Sequence, residues 1–417
     1  MGKLRYLLII FFIGVLFFSF RLVHLPETVN FGADQGLQML EIWDRYQKKQ
    51  FTLIGPYSSF QVEGRQLFFG PSPYYLSMPI LILGKWNPLS MSYFMVIFTF
   101  LSALTVYIID GWVNQNRKRA ILFLLLIASI PPTIEYSRFY WNPNFLMPIT
   151  LMILSCIIYF RKNSSQAVVF LIGLLLGFGM QFHYSFILTI ISIFVWLFWE
   201  RRRIRVNWLI LLFGAIIGFS PLIIFDARHD LYNLRIVWSF LRNERSSFPL
   251  VLHFYYFISI LPLILYLLAE ILSRLVGSSR LKFILVIFLL IISGMIFTYS
   301  SPSHGFGMVS NWNYPKELRI SQIIHQEKKG AYNLVDIHTG DTRAMAIRYL
   351  LTVVNDAPQS VTDYPSSDTL FVYSALTAKE ITSGDLWEIN AVKPLSLTKQ
   401  WMIDESVSLF RFDRFRL

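Results

Sequence analysis

Cysteine is almost absent: Cys156 stands alone in 417 residues. That excludes an internal disulfide and a cysteine-rich metal centre, and within an apolar run the thiol reads as a small packing residue. Charge is also scarce, at 15% of the chain, and long stretches carry none, a pattern that a soluble chain does not repeat. The signature loops of several enzyme classes are missing. No Walker loop, GxGxxG, HExxH or CxxC pattern occurs, and there is no internal repeat or low-complexity tract.

What the chain does have is apolar and aromatic residues, 55% and 17% respectively, arranged as repeated runs of membrane-spanning length. The first run, Leu4 to Phe20, reads as a retained anchor, because the residues after it make a poor cleavage site. Further spans fall at about 89–113, 119–137, 143–160, 166–183, 185–200, 207–225, 250–272 and 281–300, giving about nine transmembrane helices. The net charge of +12 sits in short loops between spans: Lys3/Arg5, Arg117-Lys118-Arg119, Arg161-Lys162, Arg201-Arg202-Arg203 with Arg205, and Arg274 with Arg280/Lys282. It is a topology signal and not a nucleic-acid footprint. By the positive-inside rule these loops and the N-terminus are cytoplasmic, and the C-terminus is extracytoplasmic.

Residues 72–84 are too short to span comfortably and hold Pro79, so they read as an interfacial or re-entrant helix. They close a long external first loop, about 24–88. Within it Asp34 to Gln47 reads as an amphipathic helix with Leu37, Leu40 and Trp43 on its apolar face. The expected organisation is a transmembrane part, 1–302, and a small external α/β domain, 303–417. In the latter, Asn333 to Ile337, Leu370 to Tyr373 and Val407 to Phe412 read as strands, with a helix around Arg343 to Val354.

Most of the unusual polar motifs fall on the outer side. Asp34, in Gly32-Ala33-Asp34-Gln35-Gly36, stands where a helix leaves the bilayer. Partial desolvation there suits a carboxylate to accept a proton; the alternative is a helix N-cap. Glu41 and Glu63 are further acids, or plain surface groups. Phe68-Phe69-Gly70-Pro71-Ser72-Pro73-Tyr74-Tyr75 restricts the backbone with two prolines, and its tyrosines suit either a sugar site or interfacial anchoring. Glu135 to Asn144 follows a Pro131-Pro132 break and offers Arg138, which either grips a phosphate or snorkels to headgroups. Gln181-Phe182-His183-Tyr184-Ser185 and Phe225-Asp226-Ala227-Arg228-His229-Asp230 occupy the next two outer junctions. Ionisable groups placed this way are costly and tend to mark function.

In their order these pieces resemble the GT-C glycosyltransferases of family 39, the group of protein O-mannosyltransferases and bacterial aminoarabinose transferases. The likeness covers about residues 1–230 and implies a polytopic α-helical membrane protein of GT-C fold. It implies transfer of a sugar from a polyprenyl-phosphate donor to a glycan, lipid or protein acceptor at the outer face of the cytoplasmic membrane. Asp34 matches the family's catalytic loop acid and would take the acceptor's proton in one inverting displacement. Arg138, His183, Arg228 and His229 would bind the donor phosphate, and Gln35, Glu63, Tyr74, Tyr75, Tyr136 and Asn142 would line the sugar and acceptor. The chain departs from the pattern twice. It has Asp34-Gln35 where the mannosyltransferases have Asp-Glu, and Gly70 where the aminoarabinose enzymes have a lysine. No cofactor is required; a divalent cation is compatible, although no ligand spacing demands one. A polysaccharide polymerase or ligase and a non-enzymatic lipid-linked sugar carrier are the rival readings.

Overall fold

The computed structural model describes residues 2–62, 64–200, 205–242, 246–247, 253–300, 305 and 307–415. The chain forms two compact units. One comprises Met1–Val23, Gln50–Leu83 and Ser90–Ser300; the other comprises His24–Lys49, Gly84–Leu89 and Ser301–Leu417. The first loop is therefore shared between them.

The first unit is helical: α1 (Gly2–Leu22), α4 (Ser72–Leu83), α5 (Leu89–Val113), α6 (Arg117–Ser129), α7 (Pro131–Tyr136), α8 (Leu146–Asn163), α9 (Gln166–Met180), α10 (Ile187–Trp199), α11 (Trp208–Arg228), α12 (Tyr232–Leu241), α13 (Leu261–Val276) and α14 (Arg280–Tyr299). Leu89–Val113, Asn142–Asn163, Trp208–Arg228 and Arg280–Tyr299 are long and apolar enough to cross a membrane, and shorter apolar helices accompany them. The protein is a multi-pass membrane protein. Leu209 and Leu281 leave more than three quarters of their surface uncovered, an arrangement stable in hydrocarbon and costly in water.

The span expected over 119–137 is not continuous. It stops at Ser129, and a separate short helix begins at Pro131, because prolines 131 and 132 bring no amide hydrogens to continue the ladder. At 12 residues, α4 reaches about 18 Å at 1.5 Å per residue, short of a ~30 Å hydrocarbon core.

Two features tie the bundle. First, α9 and α11 meet through reciprocal small-xxx-small pairs. A Cβ on Gly173 or Gly177 would stand 2.0 Å from the carbonyl oxygen of Leu211 or Ala215, and Gly214 and Gly218 are equally tight against Phe170 and Leu174. Only glycine permits such a backbone approach. Second, the buried Asp110 carboxylate accepts from Arg119 at 2.5 and 3.0 Å, from the Tyr266 hydroxyl at 2.8 Å and from Asn114 at 2.7 Å. Arg119 also reaches Glu270 at 2.8 Å, so α5, α6 and α13 share one satisfied network. A three-stranded sheet, β2 (Arg65–Phe68), β1 (Tyr57–Val62) and β3 (Ser246–Ser247), joins the first loop to a segment far along the chain.

The second unit holds α2 (Leu25–Thr28), α3 (Ala33–Lys48), α15 (Tyr314–Glu327), α16 (Met345–Thr352), α17 (Ala378–Ser383) and α18 (Trp387–Asn390). Its sheet is built from β4 (Tyr332–Asp336), β5 (Thr369–Ser374), β6 (Leu395–Met402) and β7 (Ser408–Arg414), ordered β4-β5-β7-β6 with only β4 and β5 parallel. Strand alternation separates two cores. Leu334, Phe371, Tyr373 and Leu409 face one side with Ile320 and Ile347, while Val335, Leu370, Val372 and Phe410 face the other with Ile389. β6 went unread because its side chains are mostly exposed and polar.

Within this unit Glu317 is 2% exposed, and its Oε1 accepts from Trp312 Nε1 at 3.1 Å. Burial holds its carboxyl well above the ordinary value of 4.5, with Asp336 and Asp341 adding to the effect and the Trp312 bond opposing it. The folded state thus favours the protonated acid. Its contribution to stability is full below about pH 4.5 and declines as pH rises toward the raised folded value. Glu317→Gln keeps an acceptor for Trp312 and removes the ionisable group. It is expected to raise the melting temperature more at pH 8 than at pH 5, and a melting series across that range checks this; an equal effect at both pH values would contradict it.

Candidate active site

The acid-bearing helix α3 docks on α16. Its buried residues are Gln35, Gly36, Gln38, Met39 and Ile42, and a Cβ on Gly36 would stand 2.5 Å from the backbone of Met345 and Ala346. Leu37, Leu40 and Trp43, the expected apolar face, are only half-buried. The reason is that the close backbone approach at Gly36 sets the rotation of the helix, and it turns glutamines inward. Asp34 is exposed, at the second helical position, and is not the N-cap: that place belongs to Gly32, whose N–H donates to Gln35 Oε1 at 3.0 Å. Gln35 is therefore committed to the helix start. Glu63 lies outside the described residues.

The remaining candidates belong to the first unit, at the junctions where helices end. Arg138, 5% exposed, follows α7 and donates from Nη2 to Val23 O at 3.4 Å. Tyr136 stacks on Phe254 at 6.0 Å. Asn142 donates its amide to Phe182 O at 2.8 Å and so ties its own turn to the next junction. His183 Nδ1 accepts from Ser185 N at 3.1 Å, so the neutral ring carries its proton on Nε2 and is a hydrogen-bond donor there. Rings of Phe69, Tyr255 and Tyr256 surround it at 5.1, 5.7 and 5.8 Å, and Trp141 packs on Tyr255 at 4.7 Å. Arg228 closes α11 and is exposed. His229 stacks on Phe225 at 4.2 Å with Nδ1 2.8 Å from Phe225 O. Asp226 accepts from the Asn233 and Leu234 N–H groups, starting α12.

Phe68 and Phe69 join these junctions. Phe69 packs on His183 and Tyr184, while Phe68 packs on Phe225 and Tyr232. The prolines after them fix the entry to α4. Tyr75 is a staple, its hydroxyl bonded to both the N–H and the carbonyl of Thr52 at 2.7 and 2.8 Å, and Tyr74 is fully enclosed. Gly70 has no room for a side chain: its Cβ position lies 2.5 Å from Gln181 Cβ, and its N–H donates to Gln181 O at 2.9 Å. Gln181 is held in turn by Ser72 and Gly218 O. A lysine at position 70 is thus excluded by packing, and any cation for a phosphate comes from another position. His253, Tyr255 and Tyr256 carry no local sign of this placement, because their aromatic run reads as part of the 250–272 span. Among the described residues no group of three or more His, Cys, Asp or Glu is placed to hold a metal.

Residues 71–225 match the family model described as dolichyl-phosphate-mannose-protein mannosyltransferase, and the matched segment contains the Arg138 and His183 junctions. The chain has a GT-C fold. Its fold is similar to that of ArnT from Cupriavidus metallidurans, solved bound to undecaprenyl phosphate, with a TM-score of 0.60 over 99% of this chain and 98% of that one at 9% identity. An Archaeoglobus fulgidus oligosaccharyltransferase, solved with zinc and sulfate, aligns over 83% of this chain and 45% of its own at 15% identity. Its TM-score of 0.38 is too low to carry an argument. No curated protein matches the chain in sequence.

Proposed function

We propose that the protein transfers a sugar from a polyprenyl-phosphate donor to an acceptor at the outer face of the cytoplasmic membrane, in one inverting displacement. The observation that carries this reading is the fold shared with ArnT, whose structure holds undecaprenyl phosphate. The isoprenoid-phosphate sugar in the description of the matching family supports it too. A glycosyl phosphate already bears a good leaving group, so no protein acid is needed to protonate it, unlike the two carboxylates usual in glycoside hydrolysis. Asp34 accepts the proton of the acceptor hydroxyl as that oxygen attacks the anomeric carbon. Arg138 stabilises the charge that develops on the departing phosphate, with Arg228 as a second cation and His183 Nε2–H as a neutral donor.

The test is transfer from a panel of radiolabelled polyprenyl-phosphate sugars in membranes. Wild type is expected to consume one of them, and Arg138→Gln to lose about 100-fold in kcat/KM for that donor while inserting normally, the cost of removing one charge-stabilising group. Consumption of no donor by wild type would remove the transferase reading. Full activity in Arg138→Gln would remove its phosphate role.

A further inference from the structure

The α6–α7 break leaves two carbonyls without their helical donors. In a continuous helix the oxygens of Ile127 and Ala128 would accept from the N–H groups of residues 131 and 132, and both are prolines. Arg21, on α1 and wholly buried, supplies the missing bonds: Nη2 donates to Ile127 O at 2.8 Å and Nη1 to Ala128 O at 2.9 Å. Thr133 Oγ1 adds a second bond to Ile127 O at 2.8 Å. The Nε N–H donates to Ser137 Oγ at 2.7 Å and Nη1 also donates to Phe17 O at 3.2 Å, and Ser137 Oγ donates back to Thr133 O at 2.6 Å. Ser137 immediately precedes Arg138. The guanidinium also lies 3.6 Å from the centroid of the Phe17 ring, and among the described residues it forms no ion pair. Its hydrogen bonds go to backbone carbonyls and one hydroxyl, so they fix the path of the chain.

We infer that Arg21 is the positioning residue for Arg138. It takes the place of two amide donors at the proline pair, holds the break open and anchors the residue next to the phosphate-binding arginine. This inference rests on the role proposed above for Arg138. A lysine retains the charge but lacks the planar fork that reaches four acceptors at once.

The experiment measures donor kcat/KM on the purified full chain, with melting temperature as the folding control, for Arg21→Lys, Arg138→Gln and the double variant. Arg21→Lys is expected to lose about tenfold or more in kcat/KM for the donor, and the double variant to be no worse than Arg138→Gln alone, the non-additivity of two residues acting through one group. As a second route that does not depend on Arg21→Lys folding, Pro131→Ala/Pro132→Ala restores the two amide donors, closes the break and is expected to cost donor affinity while melting no lower than wild type. Additive losses, or wild-type donor kinetics in both Arg21→Lys and the proline variant, would overturn the inference and leave Arg138's role standing. Wild-type kinetics in Arg138→Gln would remove both.

Discussion

Asp34→Asn is expected to abolish sugar transfer, by at least about 100-fold in kcat and with donor KM little changed, the usual cost of losing a positioned general base. Asparagine keeps the size and polarity of the side chain. Because Gly32 and Gln35 make the helix start, the substitution also leaves α3 capped. Asp34 lies outside the buried face of α3, so its loss opens no cavity. Activity should therefore fall without a fall in melting temperature, in the same labelled-donor assay run on folded protein. An Asp34→Asn enzyme with wild-type turnover would mean that another group accepts the proton.

Gly177→Val is expected to have the largest effect on folding. Its Cβ would stand 2.0 Å from the Ala215 carbonyl oxygen and 2.9 Å from Phe219 N. Both are backbone atoms of α11, so neither can swing aside, and α9 and α11 must separate along their shared face. Overpacking of this kind costs about 1–3 kcal/mol or more, and it falls on the helix that leads into the His183 junction and the helix that ends at Arg228. The monodisperse fraction after extraction should drop sharply, whereas Leu209→Ile, at a position 78% exposed, should leave it unchanged. An intact Gly177→Val protein would show that the two helices have slack that the structure does not contain.

Much of the fold was legible in the sequence because its signals are local. Apolar runs marked the helices, and α5 and α14 fall within a residue of the expected limits. Short apolar runs of strand length marked β4, β5 and β7. The order of outer-face motifs carried the resemblance to GT-C enzymes, and the fold and the family match support that class. The proline pair announced a break, although the sequence reading still counted 119–137 as one span. What failed was whatever depends on a partner far along the chain. The paired glycines of α9 and α11 went unremarked because small residues in an apolar run read as ordinary. The buried face of α3 was misassigned because its contact, the α16 backbone, lies some three hundred residues away.

The sequence by itself determined a multi-pass helical chain with a sheet-containing C-terminal part and an acid-led first loop, since hydropathy and period are properties of neighbouring residues. The tertiary structure alone decided that position 70 has no room for a lysine, that Asp34 is exposed on a helix fixed by Gly36, and that Arg21 replaces the amide donors the prolines lack. Hydrogen-bond partners of a buried cation are chosen by which chain segments cross. Arg21 and Ile127 are 106 residues apart, a pairing that no local pattern encodes.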